Sequence, residues 1–264
     1  MKLGESVCIL LNNCFPKIKV VGRESPQLYS ETRYDCGKES LALYAAHVRL
    51  KDKDILDAGC GFGGKTVYYA ENGCNSIVGV DIDENLVEHS NQFAKKKGIF
   101  NAQFKIADLS SLPFESDTFD VVFLNDVVEH IRRPALTRVF EECRRVVKSD
   151  GRICLEFPPW SNWSAAHLYD YIYIPWCQFL FSDETLINVI RRMNPGHGFG
   201  RLSVIEHFKE LNHVTVAEVM KISKKLDLKI IHSEMRMIKG KNYLKHIPLL
   251  NKYMVSRFVA VLAK

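Results

Sequence analysis

Between residues 52 and 157, short apolar runs alternate with segments whose apolar positions recur every three or four residues. The first pattern is that of buried strands and the second that of helices, so their alternation predicts repeated βαβ units and a parallel sheet. "DILDAG" (54–59) reads as a buried strand, "KTVYYAENG" as a helix closing on Gly73, and "SIVGVD" (76–81) as the next strand. Asp83 can cap a helix running to "KKKG" at 95–98, where three lysines suit the negative end of the helix dipole and Gly98 can end it. "AQFKIAD" gives a third strand and "FDVVFLND" a fourth. Pro134 opens a helix with Leu136, Val139, Phe140, Cys143, Val146 and Val147 on one face, and "SDG" turns the chain into a fifth strand, "RICLEF".

After Phe157 the rhythm breaks for about 55 residues rich in Trp, Tyr, Phe, His and Gly, until "TVAEVMKISKKL" restores a helix. Two final strand-like runs, "DLKIIHSEM" and "YMVSRFVAVLA", have no clearly amphipathic helix between them and can pair antiparallel at the far side of the sheet. The pattern divides a single α/β domain into an N-terminal helical cap (1–50), a core (51–157), an aromatic insertion (158–213) and a C-terminal helix with a strand pair (214–264).

A length of 264 residues suits one large domain, and 47% hydrophobic with 25% charged residues is a globular composition. The formal charge of +5 is mild, and residues 221–252 hold an excess of Lys and Arg that is either a solvated face or a patch for an anionic partner. The eight cysteines never form C-x-x-C and several sit within apolar runs, which reads as reduced, intracellular usage. The N-terminal apolar run is too short for a signal-peptide core, and no stretch approaches the ~20 apolar residues of a membrane span. The expectation is a soluble, cytoplasmic protein.

"LDAGCGFGG" places Gly59, Gly61 and Gly64 at G-x-G-x-x-G spacing between a strand and a helix, where glycines let the backbone turn sharply and lie against a ligand. Asp81 ends the second strand, where its carboxylate can accept both hydroxyls of an adenosine ribose. Asp57 stands two residues before the first glycine, an acid that opposes a pyrophosphate but tolerates a cationic sulfonium cofactor with a free amino group. Asp108, after the third strand, can accept from an adenine amine or serve as a turn aspartate. These acids favour S-adenosylmethionine over NAD, and an NAD enzyme would also need a second βαβ half for the nicotinamide.

The runs "ILDAGCGFGG", "VGVDID", "IADLSSLPFESDTFDVVFLNDVVEHI" and "SDGRICLEF", in that order over residues 35–157, resemble the class I S-adenosylmethionine-dependent methyltransferases of the small-molecule group. The resemblance implies a doubly wound, Rossmann-like, mostly parallel sheet of seven strands whose last strand is antiparallel. It also implies that Gly59 and Gly61 line the methionine portion, Asp81 holds the ribose and Ile82 packs on adenine. Asp108 and Leu109 would bracket the adenine edge, Asn125 would lie beside the cofactor, and Tyr34 would be a lid contact.

Methyl transfer from a sulfonium is an in-line displacement in which alignment supplies much of the rate, ~7 to 11 kcal/mol for well-oriented reactants. A hydroxyl acceptor also needs a base, for which His130 in "NDVVEHI" and His167 in "SAAHLYDY" are candidates, each with a packing or hydrogen-bonding role as the alternative. "DVVEH" is similar to an acid-x-x-Glu-His metal set (Asp126, Glu129, His130), but its first position is shorter than usual, and no metal is expected. His197, His207 and His213 lack ligand spacing and read as surface or loop histidines. "HLYDYIYIPWCQFLF" (167–181) fits a lid or substrate wall, with core packing and membrane contact as alternatives. "FPPW" resembles the Pro-Pro-aromatic triplet of nucleic-acid amine methyltransferases, yet it follows strand five instead of four and Phe157 stands in the polar place. The expected reaction is therefore O- or C-methylation of a small, apolar acceptor, without nucleic acid. An RNA or protein methyltransferase using the basic patch and a non-catalytic cofactor-binding regulator remain as alternatives.

Overall fold

The structure is a computed structural model, and it describes residues 2–17, 25–193, 203–238 and 252–264. In chain order its elements are α1 (Leu3–Asn12), α2 (Pro26–Tyr44), β1 (Asp54–Ala58), α3 (Gly64–Glu71), β2 (Ser76–Asp81), α4 (Glu84–Lys96), β3 (Ala102–Ile106) and β4 (Phe119–Asn125). A 3-10 turn, Val128–His130, leads into α5 (Arg133–Val146), β5 (Val147–Phe157), α6 (Cys177–Leu180), α7 (Asp183–Arg192), α8 (Val204–Glu210), α9 (Val216–Lys225), β6 (Lys229–Met237) and β7 (Val255–Ala263). Side chains close several helix starts as their sequences require: Asp83 accepts from Asn85 N at 2.9 Å, and Thr215 with Glu218 forms a capping box on α9.

The seven strands form one sheet in the order β3-β2-β1-β4-β5-β7-β6. All neighbours pair parallel except β7, which runs antiparallel to both β5 and β6, so the two C-terminal runs pair as expected. Successive residues of the central strands face opposite sides, and both sides are apolar. Leu56, Val122, Leu124, Ile153, Leu155, Phe258 and Ala260 pack with α5 and α9 on one face. Ile55, Val121, Phe123, Cys154, Val259 and Val261 pack with α2 and α3 on the other. The result is a three-layer sandwich, the doubly wound α/β fold.

One turn differs. "SDG" does not precede strand five but lies within it, as an irregularity: Phe119 pairs with Val147 and Val121 with Arg152. The close backbone approach at this bulge suits glycine, since a Cβ on Gly151 would come 2.8 Å from the Asp120 carbonyl oxygen.

The insertion builds a core of its own. Leu168, Ile172, Ile174 and Cys177 are buried against Cys8 of α1, Leu186 and Ile190 of α7, and Phe208 of α8. Much of the aliphatic content of 167–181 is thus packing, and α1 belongs to this unit. Buried Asn162 fastens it to the sheet by donating to Val255 O at 2.9 Å and Ser256 O at 3.1 Å.

Candidate functional site

Strand order reverses between β1 and β4, and the carboxyl ends of these strands border the crevice where open α/β sheets bind ligands. The glycine loop leaves β1 there, with φ of 81° at Gly59, 54° at Gly61 and 71° at Gly63. Gly59 N and Cys60 N both donate to Val80 O, at 2.8 and 2.9 Å, which lays the loop along β2. Asp81 completes it by accepting from Gly61 N at 3.0 Å and Asp83 N at 3.0 Å. Burial raises the Asp81 pKa, while these backbone donors oppose the rise.

The two glycines predicted to line the cofactor differ. A Cβ on Gly59 would lie 2.3 Å from Val127 Cγ2, whereas one on Gly61 would meet nothing within 4 Å. Gly59 is needed for packing, and the open space at Gly61 is the surface a ligand would occupy. Asp57 is buried beneath the loop and accepts from Thr66 Oγ1 at 2.5 Å. Burial pushes its pKa up to about 6 despite that bond and the charge of Lys65.

Ile82 is 53% exposed beside Asp81, an apolar face available to a flat ring. Asp108 is a turn aspartate whose Oδ1 accepts from Ser110 N and Oγ, both at 2.8 Å. Leu109 packs partly against the core. Asn125 stands at the end of β4, where its amide accepts from Tyr44 Oη at 2.8 Å and donates to Tyr69 Oη at 3.0 Å, which fixes the side chain within the fold. Tyr34 does not fit a lid contact: its hydroxyl donates to Glu71 at the far end of α3, and Lys97 Nζ lies 4.4 Å from its ring centre. It is Arg33, one residue earlier, that turns inward.

Arg33 belongs to a charge network that composition alone does not reveal. Asp126, at φ 56° just past β4, binds Arg33 of α2, Lys65 of α3 at 3.0 Å and Arg257 of β7. Lys65 also reaches Glu156 of β5 at 2.6 Å, and Ser40 donates to the same carboxylate. Burial alone would raise the Asp126 pKa, but the surrounding cations hold it well below the usual carboxylate range.

Past this network the sequence candidates regroup. Asp126 is committed to its cations, so the Asp126, Glu129, His130 set does not converge. Instead His130 lies beside His167, with ring centres 5.0 Å apart, and beside His207 of α8 at 4.6 Å. The reading of His207 as a surface or loop histidine is therefore corrected. His213 stacks on Trp160 at 3.8 Å, and His197 lies outside the described residues. Burial, then the two neighbouring imidazoles, hold the His130 pKa well below 6.5. Glu129 is buried, its carboxylate has no hydrogen-bond partner among the described residues, and burial with the Asp126 charge pushes its pKa up to about 8.

Sheet order, glycine loop and Asp81 agree with the class I S-adenosylmethionine-dependent methyltransferase fold that the sequence resembles. Residues 56–155 match the family described as "Methyltransferase domain". Over 90 residues, the chain is 37% identical to phosphoethanolamine N-methyltransferase 3 of Arabidopsis thaliana, a match covering 33% of this chain and 18% of that protein. It is 28% identical to the uncharacterized methyltransferase YcgJ of Bacillus subtilis over 50% of this chain and 51% of that one. The chain thus matches about half of the length of these curated relatives or less. An S-adenosylmethionine-dependent methyltransferase structure from Mesorhizobium loti shares the fold, with a TM-score of 0.59 and 15% identity over 88% of this chain and 100% of that one. The cofactor of the class, S-adenosylmethionine, suits the open surface at Gly61, the acid at Asp81 and the apolar face of Ile82.

Proposed function

We propose that the chain transfers a methyl group from S-adenosylmethionine to an oxygen or carbon of a small, apolar acceptor. The observation that carries this reading is the conjunction of the open Gly61 surface with a cluster of three imidazoles past the end of β4, where the acceptor would meet the methyl group. Asp81 would take the ribose hydroxyls and Ile82 the adenine face, with Asp108 and Leu109 at its edge. The Arg33, Lys65 and Arg257 network carries three cations against two carboxylates, and its surplus suits the carboxylate of the methionine portion.

When bound, the cofactor supplies an electrophilic methyl whose carbon–sulfur bond breaks as the acceptor atom's electron pair attacks. The chain aligns the two and excludes water. His130, whose pKa burial holds well below 6.5, or its neighbour His167 would take the proton an oxygen acceptor loses. Trp160 and the aromatic residues of 167–181 would cover the acceptor, with the insertion as the lid. Support for a small molecule over nucleic acid comes from Phe157, which is buried against Phe258 with ring centres 5.7 Å apart and presents no polar group to a base amine.

Calorimetry with S-adenosylmethionine and S-adenosylhomocysteine tests the cofactor half. Binding by the native chain and its loss in Asp81→Ala are expected, and no binding by a folded native chain would end the proposal. Methylation assays with phenolic, enolic and RNA acceptors test the other half, and transfer only to RNA would replace the small-molecule reading.

A further inference from the structure

His130, His167 and His207 are far apart in sequence, yet one ring nitrogen of each lies within 4.8 Å of the others. His130 stands on the 3-10 turn after β4, His167 in the insertion and His207 on α8. The geometry points to a divalent transition-metal site of the zinc type, with these three imidazoles as ligands and Glu129 as the neighbouring carboxylate. It rests on and deepens the methyl-transfer reading: with an ion bound the imidazoles serve as ligands, and the ion, in place of a histidine base, would lower the pKa of the acceptor hydroxyl.

Four observations bear on it. Imidazole nitrogen is a preferred donor for zinc, and three histidines with a fourth position left open is the donor set of catalytic rather than closed structural sites. Ligand nitrogens around a tetrahedral zinc stand roughly 3.3 Å apart for Zn–N bonds of about 2.0 to 2.1 Å, so small side-chain rotations would close the present arrangement. Glu129 is 5% exposed, its oxygens lack hydrogen-bond partners among the described residues, and Oε1 lies 3.8 Å from His130 Nε2. A buried carboxylate without donors is costly, and a cation beside it removes the cost.

The fourth observation is that the scaffold holds the three elements together. Asn212 donates to Val128 O and Ile131 O, both at 2.7 Å, and its own N–H donates to Glu129 O at 3.0 Å, tying the His130 turn to the segment just after α8. His167 adopts φ 54°, a left-handed conformation unfavourable for a residue with a side chain and the kind of strain that collects at functional sites. Its N–H donates to Ser164 O at 3.0 Å, and Ser164 is in turn held by Asn162 Oδ1 at 2.8 Å.

The test uses the full chain, stripped with a chelator and then titrated with zinc by calorimetry and with cobalt by visible absorption. One equivalent of each ion is expected, with the intense d–d bands of tetrahedral cobalt and no thiolate charge-transfer band. His207→Gln, which keeps a good helix former on α8, and His167→Asn, which tolerates the left-handed backbone, should each weaken zinc binding at least tenfold while leaving cofactor binding intact. If one variant fails to fold, the other decides. No saturable binding, binding of native affinity in a folded variant, or a thiolate charge-transfer band assigning the ion to cysteines would each overturn the site. None of these readouts requires methyl transfer, so failure here leaves the proposed reaction standing, and failure to find an acceptor leaves the metal site standing.

Discussion

Gly59 and Gly61 share a left-handed backbone and differ in what lies beyond the α-carbon, which separates folding from binding at two positions of one loop. Both alanine variants incur the ~1–2 kcal/mol of a left-handed non-glycine residue. Gly59→Ala also drives a methyl into Val127, so its melting temperature should fall well below that of Gly61→Ala. Gly61→Ala should stay folded and lose cofactor affinity at least tenfold by calorimetry, because its methyl enters the ligand's space. Asp57 offers a second separation. Its folded-state pKa of about 6 lies above the ordinary 3.8, so the native state holds the proton more tightly than the unfolded chain. Its stabilising contribution is complete below pH about 4 and is lost as the pH rises through about 6. Asp57→Asn keeps an acceptor for Thr66 without the buried charge. Urea denaturation should show it more stable than the native chain by about 1–3 kcal/mol at pH 7 and nearly equal at pH 4.

The strands and helices of the core are legible in the sequence because their signals are local: periodicity, a capping aspartate, a glycine at a turn. The charge network is not, because Asp126 and Arg257 are separated by 131 positions and nothing in their spacing links them. Histidine grouping failed for the same reason: His207 was grouped with its sequence neighbours His197 and His213, but register and the Asn212 bonds bring it to His130 and His167. Tyr34 turns to Glu71 while its neighbour Arg33 turns inward to Asp126, and an aromatic before the glycine loop attracts notice where an arginine does not. The network joins α2, α3, β4, β5 and β7, so its failure should be felt throughout the core. Asp126→Asn keeps the shape and tolerates the left-handed backbone, but removes the carboxylate that Arg33, Lys65 and Arg257 share and leaves Glu156 to Lys65 and Arg257. A loss of about 3 kcal/mol in urea denaturation is expected, the penalty of unpairing buried charge.

The molecule has a continuous sheet flanked by two large apolar layers, and a smaller core where α1, the insertion, α7 and α8 meet. The lid proposed for the insertion would have to open without unfolding the sheet, and the smaller core packs separately from it, with Asn162 and Asn212 among its ties to the rest. The free cysteines report on it, since Cys8 and Cys177 are buried in the small core while Cys143 and Cys154 are buried against the sheet. Thiol labelling followed by mass spectrometry, under conditions where reclosing outruns labelling, measures the opening free energy at each position. Cys8 and Cys177 should label together and markedly faster than Cys143 and Cys154, which await global unfolding. Cofactor at one hundred times its dissociation constant should slow labelling of Cys143 and Cys154 about a hundredfold, an added ~2.7 kcal/mol. Cys8 and Cys177 should slow by that factor only if the insertion closes over the bound cofactor. If they do not slow at all, the insertion is a packing unit and not a lid.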